Sequence, residues 1–152
     1  MRQTEKLLQG LNCRRVRGEL PREVTQVTYD SRKTEPGALF VCIRGSRQDG
    51  HAFIREAVER GAAVILTEEG AMYDEQIDRI CDLFCQICVL ETSDTRVALA
   101  SISRQWFDNP QENLNIIGVT GTKGKTTTVW MIWKMLAAAG MKCGLIGTIE
   151  VC

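Results

Sequence analysis

At 152 residues, with 19 basic and 19 acidic side chains, the chain is long enough for one ordinary domain and a fragment of another. The charges balance and are scattered, which excludes the basic footprint of a nucleic-acid binder or of a protein drawn to anionic membrane. The N-terminal MRQTEKLLQG has no apolar stretch of signal-peptide length, and no window approaches a membrane span, so a soluble cytoplasmic protein is expected.

Residues 4–11 put Leu7, Leu8 and Leu11 on one side of a short amphipathic helix. Pro21 marks a turn, and 24–30 (VTQVTYD) alternates apolar and polar like a half-buried strand. Asp30-Ser31-Arg32 then opens a polar loop reaching Pro36-Gly37. The run 38–43 (ALFVCI) holds no polar residue, as expected of a central strand. A second glycine-bounded loop, 44–50 (RGSRQDG), leads into Phe53, Ile54, Ala57 and Val58 at helical spacing, with Gly61 as the stop. A third strand is predicted at 62–67, an irregular acidic stretch with room for a short helix at 68–83, and a fourth strand at 85–90.

Asp94 is placed to cap a helix running to Phe107, with Val97, Leu99, Ala100, Ile102, Ser103 and Trp106 as its buried stripe. Asn109-Pro110 breaks that helix, and 111–113 reads as a short polar linker. Strands alternating with helices predict an α/β domain with a largely parallel sheet over 1–110. Seven cysteines, an odd number, sit mostly among apolar neighbours, where a reduced thiol packs as a small hydrophobe. Cys81, Cys85 and Cys88 invite a metal or redox reading. No second pair stands at ligand spacing and the only histidine, His51, is far from them, so free thiols are expected.

The stretch 114–143 organises the rest. An apolar, β-branched run at 116–119 suits a buried parallel strand, and 120–125 is a loop holding Gly121 and Gly124. An unbroken helical pattern follows over 126–139, closed by Gly140. Strand, glycine loop ending in Gly-Lys-Thr, and helix make a P-loop arrangement. Glycines let main chain approach a phosphate, and the amides of a helix N-terminus point at the anion. The nucleotide-binding candidates are Gly121, Thr122, Lys123, Gly124, Lys125, Thr126 and Thr127. Lys125 is the catalytic charge on the outer phosphates, and Thr126 the Mg²⁺ ligand. The loop departs from G-x-x-x-x-G-K-[ST], because Val119 stands where the first glycine belongs.

A last strand is predicted at 142–151. One strand–loop–helix–strand unit does not make a domain, and the helix 129–139 is apolar nearly all round. The expectation is a chain truncated just after a second domain, 111–152, has begun, with the exposed 129–136 face covered by another copy of the chain or by folding back on the first domain.

Three separated stretches resemble one family. Asp30-Ser31-Arg32 with Pro36-Gly37, Gly45 with Asp49-Gly50-His51, and Gly61-Ala62 are similar to the N-terminal domain of the Mur ligases. Thr95-Arg96 leading to Asn109-Pro110 is similar to the helix that ends that domain, and 118–128 (GVTGTKGKTTT) to the family's ATP loop. Lys123 departs from the asparagine usual there, adding a cation compatible with phosphate. The likeness is greatest to the members that add the third amino acid of the peptidoglycan precursor.

The resemblance implies a Rossmann-like UDP-sugar-binding domain at 1–110, followed by the start of an ATPase domain at 111–152. It implies ATP and Mg²⁺ as cofactors, and UDP-N-acetylmuramoyl-L-alanyl-D-glutamate and an amino acid as substrates. The dipeptide's carboxylate would attack the γ-phosphate to give an acyl phosphate, which the amine then displaces. Carried over residue by residue, the uridine diphosphate contacts fall on Tyr29, Ser31, Ser46, Arg47 and Gln48. Ser31 and its neighbours also suit a simple polar turn, Arg32 a local carboxylate, and His51 a helix start. Two alternatives stand beside this reading. One is the sister ligase that adds D-alanyl-D-alanine, whose loop usually has Gly-Ser at Gly121-Thr122; the other is a non-catalytic UDP-sugar-binding module.

Overall fold

Successive residues along each strand face opposite ways, and this alternation builds the two-sided core of the larger of two units. The computed structural model describes residues 1–45, 48–71, 77, 79, 80, 82, 84 and 87–147. The chain divides into the units Met1–Asn113 and Leu114–Cys152. Its elements run β1 (Arg2–Gln3), α1 (Thr4–Leu8), β2 (Cys13–Arg17), β3 (Glu23–Val24), β4 (Val27–Thr28), β5 (Leu39–Val41), α2 (Ile54–Glu59), β6 (Val64–Glu68), β7 (Cys88–Thr92), α3 (Thr95–Trp106) and α4 (Lys125–Ala138). Short 3-10 turns stand at Ser31–Lys33, Gly50–Phe53 and Pro110–Asn113.

Five strands form the main sheet in the order β2-β7-β6-β5-β4. The last four are mutually parallel, and β2 closes one edge antiparallel to β7. On one face Leu39, Val41, Val64, Leu66, Cys88 and Leu90 pack with Leu7 of α1 and with Ala98 and Ile102 of α3. On the other, Phe40, Cys42, Ile65 and Val89 pack with Ile54, Ala57 and Val58 of α2 and with Ile77. Strands covered on both faces read as continuous apolar runs, which is why β5 and β6 are legible in the sequence. Burying each such side chain contributes about 1.5–3 kcal/mol.

The structure revises several sequence expectations. The segment 24–30 is not one strand: β3 pairs with β1, whereas β4 pairs with β5. Val24 and Val27 both pack on the α1–α3 side of the sheet. Residues three apart on a single strand face opposite ways, so the chain breaks step between them. β2 (CRRVR) hides behind its arginines; its antiparallel pairing to β7 shifts register between Arg15 and Arg17. The buried stripe of α3 is Thr95, Ala98 and Ile102, and Val97 is 63% exposed. The hydroxyl of Thr95 bonds Oε1 of Glu68 at 3.3 Å, which sets the helix phase a residue away from the pure hydrophobic count. Asp94 caps α3 as expected, accepting from the N–H groups of Arg96 (2.8 Å) and Val97 (3.0 Å). β7 lies slightly later than predicted and ends at Thr92. Cys81 and Cys85 lie outside the described residues.

In the smaller unit α4 forms where expected, but 114–120 makes no ladder, and Ile116 and Ile117 stay exposed. A strand exists only through hydrogen bonds to a neighbour, and none pairs with this run among the described residues. The strand expected at 142–151 is likewise not formed over 142–145, and 148–152 lie outside the described residues. The segment after α4 folds back on it, with Nε1 of Trp133 donating to the carbonyl of Cys143 at 3.2 Å and Leu145 buried.

Candidate functional site

Four parallel strands discharge their loops at one edge of the sheet, the position where open α/β sheets take ligands. β4 delivers Tyr29, Asp30 and Ser31 there; β5 delivers Arg44, Gly45, Gln48 and Asp49; β6 ends at Glu68, and β7 leads to Asp94 at the start of α3. Tyr29 is 65% exposed and Ser31 is buried. The Ser31 hydroxyl donates to Oε2 of Glu56 on α2 at 2.7 Å. Asp30 caps its own 3-10 turn and takes both Nε and Nη2 of Arg32 at 2.9 Å, so Arg32 does pair with a local carboxylate. That guanidinium bond holds the Asp30 carboxyl below its ordinary range.

The loop after β5 is folded by its own backbone. The Gly45 N–H donates to the Gln48 carbonyl and the Gly50 N–H to Ile43, both at 2.9 Å, and Arg44 bridges Asp49. A Cβ on Gly50 would lie 2.7 Å from the Ile43 nitrogen, so the close return of chain requires glycine. Gln48 is exposed at this loop; Ser46 and Arg47 lie outside the described residues. His51 stands in the following 3-10 turn, which leads into α2, consistent with a helix start. Its Nδ1 meets Oδ1 of Asp49, and its Nε2 accepts from the N–H of Glu68 at 3.2 Å. Asp49 is held below the ordinary carboxyl range chiefly by the backbone N–H of His51. Arg44 lies 3.7 Å from Glu68, and Arg96 of α3 donates to the Arg44 carbonyl at 2.7 Å. The ties made by Glu56, Glu68 and Arg96 were not read from the sequence. Each comes from a helix or strand remote in sequence, and no local pattern marks it.

The second candidate region belongs to the smaller unit. Gly124 has φ +79°, a left-handed turn immediately before Lys125, and α4 starts there. Lys125 Nζ curls back to donate to the Gly121 carbonyl. The Thr128 N–H returns to the Gly124 carbonyl at 3.0 Å, while the first-turn amides have no carbonyl one turn earlier to receive them. Residues 121–128 are exposed. Gly121, Thr122, Lys123, Gly124, Lys125, Thr126 and Thr127 thus form one continuous turn whose main-chain donors and two lysines suit a polyphosphate. Among the described residues no cluster of three or more His, Cys, Asp or Glu could hold a metal ion; of the Cys81, Cys85 and Cys88 set only Cys88 lies among those residues, as a buried thiol.

A mostly parallel sheet covered by helices on both faces, followed in the chain by a glycine–lysine turn on a helix N-terminus, defines an α/β protein. The chain belongs to the Mur ligase family: residues 23–118 match the model described as Mur ligase family, catalytic domain. It is 41% identical over 143 residues to UDP-N-acetylmuramoyl-L-alanyl-D-glutamate–2,6-diaminopimelate ligase of Clostridium perfringens, covering 94% of this chain and 28% of that protein. It is 41% identical over 128 residues to the UDP-N-acetylmuramyl-tripeptide synthetase of Roseiflexus sp., covering 84% of this chain and 23% of that protein. Among solved structures, MurF from Acinetobacter baumannii aligns over 90% of this chain and 27% of its own at TM-score 0.65 and 26% identity. MurF ligase from Thermotoga maritima in complex with ADP aligns over 74% of this chain and 23% of its own at TM-score 0.51 and 27% identity. The chain therefore spans about a quarter of the length of the relatives it matches. No helix among the described residues is long and apolar enough to cross a membrane.

Proposed function

We propose that this chain supplies the UDP-sugar domain and the ATP loop of a cytoplasmic ligase adding the third amino acid to UDP-N-acetylmuramoyl-L-alanyl-D-glutamate in peptidoglycan synthesis. The observation that carries this reading is the turn 121–127, with Lys125 at the N-terminus of α4, in a chain 41% identical to a diaminopimelate-adding ligase. Gly121 to Thr127 hold the triphosphate, and Lys125 neutralises charge on its outer oxygens. The exposed Thr126 hydroxyl is a hard oxygen ligand of the kind Mg²⁺ takes, and the ion would spread charge from the β- and γ-phosphates when bound. Tyr29, Ser31, Ser46, Arg47 and Gln48 hold the uridine diphosphate end. The dipeptide's terminal carboxylate oxygen bonds to the γ-phosphorus as ADP leaves, and the amine nitrogen then displaces inorganic phosphate from the acyl carbon, losing a proton. Residues 1–110 and 111–152 are the domain that holds the sugar nucleotide and the start of the one that holds ATP.

The test is titration of this chain with UDP-N-acetylmuramoyl-L-alanyl-D-glutamate, together with a coupled ADP-release assay on a ligase of the relatives' length carrying it. Binding, with ADP release that needs the dipeptide nucleotide and an amino acid, is expected. ADP release that needs the tripeptide nucleotide and D-alanyl-D-alanine would instead assign the sister reaction, which the MurF structural likeness favours and Thr122 in place of serine disfavours. Binding without ADP release would leave a UDP-sugar-binding module. We also infer that the 152-residue chain pairs with a second copy through α4, where Trp130, Met131 and Met135 are exposed. Sedimentation showing only monomer at high concentration would refute that pairing.

A further inference from the structure

We infer that His51 is a positioning residue for the sugar-nucleotide site, clamping the turn after β5 to the end of β6. This rests on the reading that Gln48, in the turn after β5, holds ligand. The imidazole side chain is 9% exposed and is engaged at both nitrogens. A backbone N–H can only donate, so Nε2, which faces the N–H of Glu68, is the unprotonated nitrogen. Nδ1 then carries the proton and donates to Asp49, fixing one neutral tautomer.

The mechanical consequence follows from where the two partners sit. Asp49 is the residue that bridges back to Arg44 and so closes the turn, and Glu68 is the last residue of β6. The ring therefore spans the gap between the residue that closes the turn and the end of a strand buried over its first four residues. Arg44 adds charge contacts to the carboxylates of the same two residues, and Arg96 ties the Arg44 carbonyl to α3. These flexible guanidinium contacts are more than half exposed on the Arg44 side, whereas the imidazole is rigid and buried. The imidazole is the member of the set that fixes distance.

Three variants of the 152-residue chain separate the two bonds. His51→Gln keeps an acceptor for the Glu68 N–H, His51→Asn keeps a donor for Asp49, and His51→Phe keeps only bulk. Titration with UDP-N-acetylmuramoyl-L-alanyl-D-glutamate is expected to weaken about tenfold in His51→Phe and less in each single-bond variant, while thermal midpoints of the single-bond variants stay close to the parent. Nitrogen-15 NMR of the imidazole is expected to place the proton on Nδ1. Unchanged affinity in His51→Phe overturns the inference, as does a proton found on Nε2, which reads out even where a variant fails to fold. Failure of the unaltered chain to bind the nucleotide while the proton lies on Nδ1 would count against the proposed function instead.

Discussion

The hydroxyl of Ser31 is committed as a donor to the carboxylate of Glu56, 2.7 Å away on α2. Its proton is spent inside the protein, and what remains for a ligand is the oxygen's acceptor capacity. Ser31→Ala is therefore expected to cost about 1 kcal/mol of sugar-nucleotide binding, roughly fivefold in Kd. Glu56 is partly exposed and can recruit water, so stability should change little. Calorimetry beside thermal denaturation checks both halves; an unaltered Kd would remove Ser31 from the site.

Lys125 gives a sharper separation. In a ligase of the relatives' length, Lys125→Ala should lower turnover by about a hundredfold or more, because it removes charge stabilisation from the transferring phosphoryl group. Affinity for the UDP substrate should stay within about twofold, since the residue sits in the other unit. Loss of both together would mean that the two sites are not independent.

Acid sensitivity follows from three carboxylates. Asp30, Asp49 and Asp108 are held below their ordinary range, by Arg32, by the His51 N–H and by Arg2 respectively. A depressed folded-state pKa adds stability that is present above the unfolded value and is lost as pH falls through the folded value. Stability should therefore decline below about pH 4. Asp30→Asn should flatten that decline when denaturation is followed across pH 2–5. A profile identical to that of the unaltered chain would refute the Asp30 contribution.

The thiols should also sort by burial. Cys42 lies at the end of β5 with its pKa pushed far up by desolvation and by the nearby carboxylates of Asp49 and Glu68. The thiolate is the reactive form, so iodoacetamide should label the partly exposed Cys13 and Cys143 well before Cys42 in the native chain. Peptide mass mapping over time gives the order, and early labelling of Cys42 would show that the β5 end opens.

These tests draw on features that were unevenly visible in the sequence. β5, β6, the Asp94 cap and the α4 turn were legible because each rests on a local cause: unbroken apolar runs, a capping side chain, a glycine that allows a left-handed φ. Arg32 pairing locally with Asp30 was legible for the same reason. What escaped depends on partners far along the chain. β2 is a strand only because β7 lies beside it, and the phase of α3 answers to Glu68. The run 116–119 has strand-forming residues and no neighbouring strand among the described residues, so propensity alone did not make it one. Of the sugar-nucleotide candidates, Tyr29, Ser31 and Gln48 all fall at the loop edge of the sheet. The use of Ser31 as a donor to Glu56 could be found only in three dimensions.

The arginine-rich border strand has a consequence for how crowded chains behave. β2 sets Arg14, Arg15 and Arg17 along the sheet's outer margin, shifts register between Arg15 and Arg17, and meets Glu91 through Arg14 at 2.9 Å. At the opposite margin β4 offers only Val27–Thr28. A neighbouring molecule trying to extend the sheet would meet guanidinium charge and a broken repeat on one flank, and a two-residue stub on the other. Polymerisation through strand addition is thereby discouraged at both flanks, which suits a unit whose parallel strands are slow to assemble and stay exposed while they do.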